Sequence, residues 1–204
     1  MVWWILSDSE HGVAQDDTVL HLEAANPSNK ITKSDLRDLV QRVAHGLRDQ
    51  YGIGANGRNK DVVTVISHGQ VLISAVFFGV IAAGGVYSAA SPSSTVSEFA
   101  RQINIGTSRL VICSAEFKDL AAQAAKQCNV PPDRILVLES SPSWSLKSLD
   151  GEVDGISDRK LNWERITDPE ALRKSLITIL WSSGTTGLPK GENENLHFFD
   201  WSAF

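Results

Sequence analysis

Cysteine is scarce in this sequence. Cys113 and Cys128 are the whole complement, too few for a disulfide framework in a chain of 204 residues. Both lie in apolar contexts, where a free thiol packs as a small hydrophobe. A reducing compartment, the cytoplasm, is therefore the expected location. A basic excess is missing as well. The 19 Lys and Arg are set against 24 Asp and Glu, for a formal net charge of -5. A nucleic-acid surface needs a basic patch to neutralise phosphates, so no nucleic-acid partner is expected. There is no internal repeat. The apolar stretch from Val2 to Leu6 is too short for a signal peptide and has no basic residues ahead of it. Trp201-Ser202-Ala203-Phe204 matches no targeting tail.

One internal stretch carries no charge at all, from Gly69 to Ala90. Its length is about that of a membrane span, roughly 20 residues. Gly84-Gly85 would break a helix there, and no Lys/Arg cluster flanks either end. A buried helix followed by a buried strand fits better, and no membrane partner is expected.

What is present is the composition of a globular protein, 42% hydrophobic and 21% charged, arranged as alternating helix and strand. Thr32 with Asp35 predicts a capping box. Leu36, Leu39, Val40, Val43, Ala44, Leu47 and Tyr51 then recur at helical spacing, and Gly52 is a natural stop. The run Val62-Val63-Thr64-Val65-Ile66 reads as a strand buried on both faces. A helix is expected from Gln70 to Ala83 and a short strand from Val86 to Ala89. Thr95 with Glu98 caps a helix reaching about Ile105. Strands follow at Leu110–Cys113 and Ile135–Leu138, with an alanine-rich helix between them that Ser114 would cap. Residues 140–163 are polar and without period, and read as a surface linker. Asp168-Pro169-Glu170 opens a short helix, and Leu176–Leu180 is the last strand. Strand–helix alternation predicts an α/β fold, a mainly parallel sheet with helices on both faces. Ligands in such folds sit at the carboxyl ends of the strands.

The last strand runs directly into Trp181-Ser182-Ser183-Gly184-Thr185-Thr186-Gly187-Leu188-Pro189-Lys190-Gly191. The glycines let the backbone approach a ligand closely, and successive N–H groups can then point at one anion. Ser182, Ser183, Thr185 and Thr186 add hydroxyl donors, and Lys190 adds a full positive charge. Phosphate binding is the expectation. The segment is not a Walker A loop, because Gly191 stands where that motif needs Ser or Thr to hold magnesium.

This segment resembles the most specific signature of the adenylate-forming superfamily: acyl-CoA synthetases, 4-coumarate–CoA ligases, luciferases and peptide-synthetase adenylation domains. Two weaker stretches agree in order. Ile31-Thr32-Lys33-Ser34-Asp35-Leu36 is similar to the family's first-helix opening, and Ala83-Gly84-Gly85-Val86-Tyr87-Ser88 to its Gly-Gly turn. The resemblance implies the N-terminal subdomain of such an enzyme, with an incomplete sheet. It divides the chain into an N-terminal extension (1–18), a partial adenylation domain (19–191) and a divergent tail (192–204). It implies that Ser182, Ser183, Gly184, Thr185, Thr186 and Lys190 contact nucleotide, that ATP and Mg2+ are used, that CoA is a co-substrate, and that a small carboxylic acid is activated. A peroxisome is the other compartment open to full-length relatives.

The departures from the pattern matter equally. Family members are well over twice this length. The acyl pocket, the ribose-binding aspartate and the C-terminal-domain lysine of the family have no counterpart here, so no catalytic residue is assigned. The family's histidine beyond the loop lysine falls at Leu196, with His197 one residue late. Three readings follow. The chain is a truncated AMP-forming acyl-CoA ligase; or it is an inert or nucleotide-binding remnant; or it is an interaction module that pairs with a complementary chain. Elsewhere, His68 could line the cleft from a strand's carboxyl end, although a lone histidine there is more often structural. His11, His21 and His45 show no metal-ligand spacing, and no metal site is expected.

Overall fold

The computed structural model describes Leu6, residues 14–162 and 166–181, and by backbone alone residues 182 and 190–195. The first two described strands, β1 (Val19–Leu22) and β2 (Lys30–Thr32), form an antiparallel pair. α1 (Lys33–Tyr51) follows at once. Its capping box forms as expected: Asp35 N–H donates to Thr32 Oγ1 at 3.2 Å, and Thr32 N–H donates to Asp35 Oδ2 at 3.0 Å. Gly52 ends the helix in the left-handed region at φ 70°, which a residue without Cβ adopts at little cost. The whole apolar stripe of α1 is buried.

The remaining elements alternate: β3 (Val62–Ile66), α2 (Ile73–Ala83), β4 (Val86–Ala90), α3 (Val96–Ile105), β5 (Leu110–Ser114), α4 (Lys118–Gln127), β6 (Ile135–Glu139), β7 (Ser145–Ser148), α5 (Pro169–Arg173), β8 (Leu176–Ser182) and β9 (Lys190–Asn195). Seven strands make one sheet in the order β7-β6-β5-β3-β4-β8-β9. The five inner strands are parallel, and β7 and β9 run antiparallel at the edges.

Because side chains alternate across a strand, inner strands such as β5 feed two cores. Leu110 and Ile112 of β5 join α1 and α2 on one face. Val111 and Cys113 join Phe99, Ile103 and the alanines of α4 on the other. Two-sided burial is why these strands read as unbroken apolar runs. Each fully buried Leu, Ile or Phe contributes about 1.5–3 kcal/mol. Burial pushes the Cys113 thiol up to about 12, so it is a packing group. The charge-free stretch is α2 plus β4, broken by Gly84 at φ 89°. No described helix is long and apolar enough to cross a membrane.

Three local expectations need correction. Residues 140–163 are no linker. β7 pairs with β6 and buries Leu146 completely, while Lys147 points to solvent, a common way to blunt an edge. Ser114 gives no capping bond; a 3-10 turn at Ala115–Phe117 precedes α4. α2 starts at Ile73 and not Gln70, and the Leu72 N–H donates to Ser140 Oγ at 3.1 Å. That cap comes from a distant loop, so no local pattern announces it.

The loop after β7 presses on α1. A Cβ on Gly46 would lie 2.3 Å from the Gly155 carbonyl oxygen, with backbone on both sides. Gly46→Ala is expected to cost about 1–3 kcal/mol in urea unfolding, as overpacking does. Gly52→Ala, in open space but at positive φ, is expected to cost about 1 kcal/mol. A Gly46→Ala protein as stable as the parent would show that this contact is absent.

Candidate functional site at the carboxyl edge of the sheet

The parallel strands β3, β4, β5, β6 and β8 end side by side at Ile66, Ala90, Ser114, Glu139 and Ser182. The chain leaves β3 toward the face covered by α1 and α2, and leaves its neighbours β4 and β5 toward the opposite face. Diverging connections of this kind open a crevice at the carboxyl ends.

β8 brings the Gly/Ser/Thr segment to that edge. It lies on β4 with Tyr87 opposite Thr178 and Ser88 opposite Ile179. Two side-chain bonds fix the pairing: Thr178 Oγ1 donates to the Tyr87 carbonyl at 2.9 Å, and Trp181 Nε1 donates to Ser88 Oγ at 3.0 Å. β9 returns antiparallel, with Ser182 opposite Lys190. Both ends of the segment are therefore held together beside the end of β4. Of the residues expected to contact nucleotide, Ser182 and Lys190 are placed by their backbone. Ser183, Gly184, Thr185 and Thr186 lie outside the described residues.

The neighbouring loops are tied by polar contacts. Ser140 Oγ donates to Gln70 Oε1 at 2.7 Å, and Gln70 Nε2 donates to Ser67 Oγ at 2.9 Å. The chain links the ends of β3 and β6. His68 Nδ1 lies 3.0 Å from Glu116 Oε1, and its ring sits 5.1 Å from that of Phe117. His68 is thus bound to a carboxylate partner that sequence reading missed, because the two residues are far apart in the chain. At the start of α3 the Glu98 carboxylate accepts the Thr95 backbone N–H at 2.7 Å, which holds its pKa below the usual range. That helix end already holds an anionic side chain. Among the described residues no group of three His, Cys, Asp or Glu is arranged to hold a metal.

An open, mainly parallel α/β sheet with helices on both faces defines the class of fold. The chain belongs to the AMP-binding enzyme family, whose model matches residues 10–192. It is 44% identical over 189 residues to a candidate acyl-coenzyme A synthetase of Emericella nidulans, spanning 92% of this chain and 34% of that protein. It is 28% identical to a phenylacetyl-CoA ligase of Aspergillus niger, over 93% of this chain and 34% of the ligase. Among solved structures, ATP-bound MatB of Rhodopseudomonas palustris matches with TM-score 0.67 and 21% identity, over 94% of this chain and 34% of MatB, a likeness of fold. The chain spans about a third of the length of these curated relatives.

Burial raises the Glu116 pKa, but hydrogen bonds from its own backbone N–H and from His68 outweigh burial and hold it below the ordinary 4.5. A depressed carboxyl pKa stabilises the fold above about pH 4.5 and loses that contribution as pH falls through the folded value. Carbon NMR of the Glu116 carboxyl is expected to titrate below 4.5 and to move upward in His68→Ala. An unchanged midpoint in that variant would show that the pair is not formed.

Proposed function

We propose that this chain is the nucleotide-gripping part of an AMP-forming carboxylate–CoA ligase. Lys190 and the hydroxyls of Ser182, Ser183, Thr185 and Thr186 hold the ATP triphosphate, and Gly184 lets the backbone approach it. A carboxylate oxygen of the acid attacks the α-phosphorus. The bond to the bridging oxygen breaks and pyrophosphate leaves, giving an acyl-adenylate. A CoA thiolate then attacks the acyl carbon and AMP leaves. The loop's part is to orient the triphosphate and stabilise the charge that grows on pyrophosphate. Magnesium belongs to this reading as a companion of the triphosphate, and no step is assigned to it. Residues 19–191 form the partial adenylation domain in this reading, flanked by an extension at 1–18 and a tail at 192–204; β9 crosses the second boundary.

The observation that carries the reading is the register of β8 and β9. It sets the backbone of Lys190 opposite that of Ser182 at the carboxyl edge, at the two ends of the Gly/Ser/Thr segment. A second reading rests on the share of the relatives that the chain spans, 34%. The 204-residue polypeptide by itself binds nucleotide without turnover, because most transition-state contacts come from the rest of the relatives' length.

Titration with ATP is expected to move the amide resonances of Ser182 through Lys190 saturably. Lys190→Ala should weaken binding at least tenfold, since a charge-assisted bond contributes about 1.5–3 kcal/mol. A folded chain whose loop resonances stay still contradicts both readings. Pyrophosphate exchange with mixed aromatic and fatty acids separates them: background exchange fits the non-catalytic polypeptide, and exchange above background rules it out.

A further inference from the structure

The face of the sheet that carries α1 and α2 has an uncovered flank. α2 has no charged side chain, and Ile73, Phe77, Phe78, Ile81 and Ala82 on its outer side are only partly buried. The Phe77 ring lies 5.0 Å from that of Tyr87 on β4. Tyr87 stands opposite Thr178 in the register of β4 and β8, so the two side chains share a face. Leu180, two positions on, shares it too, and it is 47% exposed. The described residues therefore leave an apolar strip between the outer side of α2 and β8. A helix that is apolar all round is a buried helix, so this one needs a cover.

The chain contains a segment of matching chemistry close by. β9 runs antiparallel to β8, and its last residue, Asn195, pairs near the start of β8, opposite Leu176. α2 leads through Gly84 and Gly85 into Val86 at the start of β4. The Ile81 end of α2 and Asn195 are therefore at the same edge of the sheet. Residues 196–204 follow; they lie outside the described residues and beyond the family match at 10–192. Five of these nine are large and apolar, Leu196, Phe198, Phe199, Trp201 and Phe204, and Asp200 is their one carboxylate side chain.

The reach is sufficient. β4, β8 and β9 are successive strands, which puts β9 about 10 Å from β4. Nine residues span about 30 Å when extended or about 13 Å as a helix. α2, with 11 residues, is about 16 Å long. A segment that starts at the Ile81 end can therefore cross β8 and run along α2. Tethering also gives it an effective concentration on the order of millimolar, which favours it over a second copy of the chain in dilute solution. We propose that residues 196–204 fold back over this flank and cover it, with their aromatic side chains against Phe78, Ile81 and Leu180. The contact does not rest on the nucleotide reading, and it holds or fails independently of it.

Methyl NMR of the 204-residue chain, recorded over a dilution series, is the test. In the parent, ring currents from the segment are expected to shift the Ile81 and Leu180 methyls upfield, with Overhauser contacts to aromatic protons of Phe198 or Trp201. Replacing both, Phe198→Ser with Trp201→Ser, should move those methyls downfield and raise the binding of an apolar dye severalfold. The methyls of Leu22 and Ile105, exposed on the β1–β2 pair and at the end of α3, should stay still. Leu180→Ser, at an exposed position, should release the segment from the other side and move the Trp201 indole resonance to that of a solvated tryptophan. The proposal is overturned if the Ile81 and Leu180 methyls stay still in the folded double variant, or if Leu22 and Ile105 move equally. Contacts that vanish on dilution, with a doubled mass at high concentration, would also overturn it, since the occupant would then be a second copy.

Discussion

The seating of β8 on β4 is the contact on which the candidate site depends. Only two residue pairs define the parallel register between them, and two side-chain bonds, from Thr178 to the Tyr87 carbonyl and from Trp181 to Ser88 Oγ, hold it. Ser88 is fully buried, and Thr178 is nearly so. Buried polar groups are costly when unpaired, so these bonds specify the register as well as strengthen it. A slip by one residue would turn Ile179 out of its contact with Val62 and Val86 and leave Ser88 and Trp181 Nε1 without each other. It would also carry the Ser182 end of the loop away from the end of β4.

Much of the architecture was legible in the sequence because its causes are local. Both capping boxes, at Thr32–Asp35 and Thr95–Glu98, formed as read. The left-handed glycines at Gly52 and Gly84 ended the helices they were expected to end. The β-branched run at Val62–Ile66 is buried at every position. What escaped has non-local causes. β7 offers one apolar residue, Leu146, and its strand character comes from pairing with β6. The Leu72 cap is lent by Ser140. The β1–β2 pair is short and mostly exposed, so it leaves little hydrophobic pattern to read.

The site divides the same way. The Gly/Ser/Thr/Lys segment announces itself because its chemistry is contiguous, and the family match covers it. The His68–Glu116 pair is assembled from separate connections, and nothing at short range marks it. Parallel strands bring all their carboxyl ends to one side of the sheet, which is where the segment after β8 begins.

Hydrogen–deuterium exchange with and without ATP tests the central claim most directly, that the end of β8 beside β4 is where nucleotide sits. The account predicts slower exchange in peptides spanning Leu176–Ser182 and Val86–Ser91 when ATP is present, with no change around Tyr51. Protection confined to the opposite, amino edge of the sheet, or none at all in a folded chain, would contradict it.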